Sequence, residues 1–172
     1  MIKIISEPCG KTYRSLIEYA EQQCSFFSLV WPVNMEIYDS ANQIQQKLFD
    51  FMESEIEIKS EWKAVGVEDE KFPIKRKFVI NPKSIAVLKD SPKLFACPER
   101  ENKVSWRIEV NREPGLYSWI TPALPEDLTF YTSAGDIWMT STSHEEEANF
   151  NESIVNPDEI KKNLPELKIE TT

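Results

Sequence analysis

Glycine is scarce, with four in 172 residues (Gly10, Gly66, Gly115, Gly135), and neither G-x-G-x-x-G nor a P-loop occurs. A loop that cradles phosphate needs freedom of backbone conformation, which this chain supplies at few positions. Histidine is scarcer still, since His144 stands alone. H-E-x-x-H and paired C-x-x-C are absent, so the ligand spacing of a zinc site is missing. No metal and no cofactor is expected; a hard cation held by His144 with Asp136 and more distant carboxylates is the one arrangement left open. The three cysteines, Cys9, Cys24 and Cys97, are odd in number. They suit reduced thiols in the cytoplasm better than a disulfide framework, each as a small buried hydrophobe. No run approaches the roughly 20 apolar residues that span a bilayer. The stretch from Met1 to Pro8 is too briefly apolar for a signal peptide and has no basic start.

Positive charge is also in deficit, with 20 Lys and Arg against 29 Asp and Glu and a net charge of −9. Neutralising phosphates takes the reverse balance, so DNA, RNA and anionic membrane are not expected partners. Such a field would attract a basic protein surface, or serve solubility alone.

What is present is an ordinary globular composition: 41% hydrophobic, 28% charged, at a length that buries a proper core. Five tryptophans, five tyrosines and nine phenylalanines supply large core anchors. Tyr13, Leu16, Ile17, Ala20 and Cys24 recur at helical spacing, predicting a helix capped by Thr12 and running to about Ser25. Phe26 to Trp31 reads as a strand stopped by Pro32, and Ser40 as the cap of a second helix with Ala41, Ile44, Leu48, Phe51 and Met52 along one face. Glu53 to Glu61 fits a frayed helix end or a charged edge strand. Ile74 to Ile80 alternates as a strand; Asn81-Pro82 opens a short helix to about Lys89; Ser91 to Asn102 reads as a loop. Val104, Trp106, Ile108 and Val110 give the cleanest period-two pattern. Leu116 to Trp119 reads as a turn. Leu128–Tyr131 and Ile137–Ser141 flank a Gly-containing loop, which predicts a hairpin. Asn156-Pro157 opens a last short helix, and the tail from 165 to 172 is expected to fray. The sum is one α+β domain over residues 1–164, with a mixed or antiparallel sheet, two amphipathic N-terminal helices and short C-terminal ones.

Chemistry concentrates near His144. A lone imidazole beside carboxylates suits a general base or a pH switch, and Ser141 and Ser143 are nucleophile candidates sharing one face of a strand. No G-x-S-x-G elbow accompanies them. Ser143-His144-Glu145-Glu146 also reads as a capping box, with Ser143 as the cap and Glu146 reaching back to it. Glu126 and Asp127 form a carboxylate pair that would work as acid and base only in a pocket separating their pKa values.

The run Leu116-Tyr117-Ser118-Trp119, then Pro122-Ala123-Leu124-Pro125-Glu126-Asp127-Leu128, Phe130, Gly135, Trp138 and Ser143-His144-Glu145 resembles the C-terminal half of a family of small bacterial proteins. Its members often carry the label stage III sporulation protein AH. Ser60-Glu61-Trp62 matches the start of that family's S-E-W-P-G-T motif, with Lys63-Ala64-Val65 replacing P-G-T. The likeness touches most of the first 150 residues and is patchy between Pro92 and Trp106. It implies no catalytic residue, but singles out the hairpin from Glu126 to Glu145. The functional expectations are therefore a non-catalytic, immunity-protein-like or inhibitory module for a basic protein partner, a small hydrolase or transferase using His144 with Ser141, Ser143 or Glu126, or a sporulation role. The candidate binding residues are Trp119, Glu126, Asp127, Trp138, His144, Glu145 and Glu146.

Overall fold

A computed structural model describes residues 1–32, 39–58, 73–96, 113–120 and 124–171. Along the chain run β1 (Ile2–Ile4), α1 (Gly10–Gln23), β2 (Phe26–Trp31), α2 (Asp39–Leu48), β3 (Met52–Glu57), β4 (Ile74–Val79), α3 (Pro82–Asp90), β5 (Glu126–Tyr131), β6 (Ile137–Thr142), β7 (Glu147–Phe150), α4 (Pro157–Asn163) and β8 (Ile169–Thr171). The strands form one open sheet in the order β3-β4-β2-β5-β6-β7-β1-β8. Every neighbouring pair is antiparallel. The fold is α+β.

Because strand side chains alternate between faces, direct cross-strand partners share a face. Phe78, Phe27, Phe130, Met139, Phe150 and Ile2 are successive partners across six strands. All six are buried, in the same core as Leu16 and Ile17 of α1, Ile44 of α2, Ile85 and Leu88 of α3 and Ile160 of α4. Helices cover this face. The adjoining row, Lys77, Ser28, Thr129, Thr140, Asn149 and Lys3, runs in the same register on the opposite face.

Aromatic anchoring is as expected, and the polar tips of Trp119 and Tyr13 are satisfied. The Trp119 indole N–H donates to Tyr13 Oη at 2.9 Å, and Tyr13 Oη donates to the Leu88 carbonyl at 2.8 Å. This buried relay ties the chain after Gly115 to α1 and α3. The Cys9–Gly115 bridge holds the same segment. A Cβ on Gly115 would lie 2.4 Å from the Pro8 carbonyl oxygen, so only glycine fits that approach.

Several sequence expectations need correction. Helix α1 begins at Gly10 with Cys9 as its cap residue; Thr12 lies inside the helix, and its hydroxyl meets Glu166. Of the segment 53–61, residues 53–57 lie in the edge strand β3, and 59–61 lie outside the described residues. Asn81-Pro82 opens α3, with Asn81 accepting from the Lys83 and Ser84 N–H groups and Ser84 returning the bond. Ser91–Ala96 is a 3-10 turn rather than an open loop. Ser143 starts no helix: Ser143–Glu145 is a single 3-10 turn, Glu146 adopts a left-handed φ of 54°, and the chain re-enters the sheet as β7. The tail expected to fray instead carries β8, paired with β1 through Ile2–Thr171, Lys3–Glu170 and Ile4–Ile169. The strand expected over Val104–Val110 and the Ser60-Glu61-Trp62 motif lie outside the described residues.

Cys24 is a free thiol, and Cys97 lies outside the described residues. Burial pushes the Cys24 thiol up to about 12, which keeps it protonated and inert. Among the described residues, no helix is long and apolar enough to cross a membrane.

Candidate functional site

The hairpin β5–β6 builds the site at the end away from its loop. Opposite β2 the register runs Ser28–Thr129 and then Val30–Glu126, so Asp127 and Leu128 together face Leu29. One extra residue is thus inserted into β5. Asp127 takes it up with φ of 58°, in the left-handed region. Asp and Asn tolerate that conformation better than other non-glycine residues, because a short polar side chain bonds locally. Here Asp127 Oδ1 accepts the Ser143 N–H at 3.0 Å, fixing the start of the 3-10 turn that follows β6. Bulge and turn hold each other, and both crowd the same corner.

At that corner Glu126, Asp127 and His144 converge. One carboxylate oxygen from each acid and one imidazole nitrogen all lie within 4.8 Å of one another, and all three residues are half-buried. His144 retains 34% side-chain exposure, with Nε2 3.8 Å from Glu145 Oε1. Burial raises the Asp127 carboxyl above the usual carboxylate range. The Ser143 N–H opposes that shift, Glu126 adds to it by like-charge repulsion, and His144 and Lys75 oppose it. Carboxylates are brought together here in spite of their charge.

The hydroxyls behave differently from a nucleophile array. Ser141 is buried and its Oγ donates to the Leu128 carbonyl at 2.9 Å, a link between β5 and β6. Ser143 is 2% exposed, and its Oγ has no hydrogen-bond partner among the described residues. Thr140, on the opposite face, meets Thr129 at 3.3 Å. Asp136 sits in the hairpin loop, at the opposite end from His144, so that sequence pairing is not formed.

Of the residues expected to bind, Glu126, Asp127 and His144 come together, and Glu145 and Glu146 are exposed beside them. Trp119 and Trp138 do not belong to any surface. Trp119 is fully buried with its N–H satisfied by Tyr13, and Trp138 packs edge-on against Tyr19, Phe130 and Phe150. Large rings went to the core because the core gains most from their area. The role of Asp127 as a backbone cap was not foreseen; its only sequence signal is an Asp just after Pro125, a common turn pairing.

No protein-family model matches this chain, and no curated protein or solved structure does so either.

Proposed function

We propose that this protein is a non-catalytic acidic module that docks a basic protein partner through the part of the molecule built by residues 126–172. The observation that carries this reading is the distribution of charge. Those residues contain eleven Asp and Glu against three Lys and Arg, so nearly the whole net charge of −9 originates there. Charge concentrated on one part of a surface steers an oppositely charged partner and excludes like-charged ones, nucleic acid included. Glu145 and Glu146 stand exposed on the turn next to His144. Glu147, Glu152 and Glu166 are paired with Lys3, the N-terminal amine and Lys11. The burial of Trp119 and Trp138 removes them as interface anchors, so recognition rests on charge and hydrogen bonding at this face.

A tagged full-length chain incubated with its native lysate tests the reading at low and high salt. The expected result is a basic protein that is captured at low salt, released at high salt, and lost when Glu145 and Glu146 are both replaced by Lys. Capture unaffected by that charge reversal, or no salt-sensitive partner at all, would overturn it.

A second reading, a small hydrolase or transferase using His144, is favoured by the Glu126–Asp127–His144 convergence. Ser141 is committed to the Leu128 carbonyl, so the imidazole would act on water or on a substrate hydroxyl rather than on that serine. Turnover of model esters or phosphoesters that vanishes in His144→Ala is the corresponding test. A sporulation role rests on the family resemblance, and spore yield after deletion of the gene tests it.

A further inference from the structure

The corner at Glu126, Asp127 and His144 contains the side-chain types of a metal centre, and they come from two separate segments of the chain. Ligand atoms around an ion bound at 2.0–2.2 Å lie at most about 4.4 Å apart. The three atoms here are within 4.8 Å of one another, close to that limit, and side-chain torsions supply the remaining adjustment. We propose that Glu126, Asp127 and His144 bind one divalent transition-metal ion of the zinc or manganese class.

A second observation comes from the residue next to His144. A buried hydroxyl without a hydrogen bond costs about 1–3 kcal/mol, and native structures seldom leave one unless an ion or water completes it. Ser143 Oγ is such a group. It sits one peptide bond from His144, on a residue whose N–H is bound to Asp127 Oδ1. A coordinated water would give this hydroxyl its partner.

The donor set selects the metal. Imidazole nitrogen with two carboxylates suits zinc, manganese or ferrous iron, whereas magnesium and calcium favour sites built wholly of oxygen. Three protein ligands leave at least one position open for water or a partner's group. The Ser143 N–H orients Asp127 as an outer-shell bond orients a ligating carboxylate. The ion would also offset the repulsion between the two acids. Binding depends on these residues alone and not on the docking reading, so either idea can fail without the other.

The single histidine makes the test direct. Full-length protein labelled with nitrogen-15 is titrated with zinc while the ring nitrogens of His144 are followed by NMR. Saturation of their shift at one equivalent is expected. Glu126→Gln should weaken binding about tenfold or more, with a thermal midpoint in the absence of metal no lower than the parent's, whereas Glu145→Gln should leave binding as it was. Magnesium at the same concentration should not displace zinc. The proposal is overturned if the ring signals stay fixed at tenfold excess zinc. It is equally overturned if Glu126→Gln and Asp127→Asn both bind as tightly as the parent chain, which would mark the imidazole alone as an adventitious ligand. Weakening by Glu145→Gln as great as by Glu126→Gln would also sink this ligand set.

Discussion

The two flanks of strand β2 face opposite kinds of electrostatics. On the β3–β4 side, charges are paired and laid on rings. Arg76 is only 12% exposed, bonds Glu55 Oε2 through Nε at 2.7 Å and stacks over Trp31 with its guanidinium carbon 4.8 Å from the ring centre. Lys77 lies 3.8 Å from Glu53 and 4.3 Å from the Phe26 ring. On the β5–β6 side, an extra residue breaks the register, two acids sit side by side, and Asp127 and Glu146 both hold left-handed backbone. The first arrangement is what stability alone selects. The second is what a site looks like when ligand recognition is selected at a cost to stability.

Substitutions should therefore act in opposite directions on the two flanks. The largest expected effect is at Arg76. Arg76→Met keeps much of the packing but removes the Glu55 pair and the contact with the Trp31 face. Losing the half-exposed ion pair together with the ring contact should cost about 1–1.5 kcal/mol in chemical denaturation. Arg76→Lys should recover only part of that, because an ammonium cannot reproduce the planar stack. A smaller effect of the opposite sign is expected for Glu146→Gly. Glycine takes φ of 54° without the Cβ penalty, so the variant should be more stable by about 0.5–1 kcal/mol, read as a raised denaturation midpoint. A destabilised Glu146→Gly would erase the contrast between the flanks. Smallest should be Thr140→Val. It removes one exposed-side hydroxyl contact with Thr129 and should shift stability by less than about 0.5 kcal/mol.

Much of this contrast was legible in the sequence, but not its decisive part. The β5–β6 hairpin, α3 with its Asn81 cap and the charged strand β3 follow from local chemistry: alternation, a Gly-containing loop and a proline after a capping residue. The turn at Ser143 misled because S-x-x-E satisfies a capping box wherever it occurs, whereas a helix also needs an apolar stripe downstream. Ala148 and Phe150 instead recur at period two and are the buried residues of β7. Strands β1 and β8 are three residues long, too short for periodicity to register, and are held by pairing with each other. The meeting of Asp127 with His144 depends on a one-residue register shift against β2, a non-local event that no window along the chain displays.

Stability of Asp127→Asn against pH tests most directly whether the acidic corner is retained at a cost. The amide oxygen can still accept the Ser143 N–H, and Asn tolerates the left-handed backbone, so only the charge is removed. The folded carboxyl titrates above its unfolded value, so the folded state holds its proton longer. The stability this group contributes is complete below the unfolded pKa and is lost as pH rises through the folded one. Asp127→Asn should therefore match the parent chain in acid and be more stable than it at neutral pH. A variant less stable than the parent at neutral pH would mean that the Asp127 charge is a structural tie, and the corner would lose its claim to be a site.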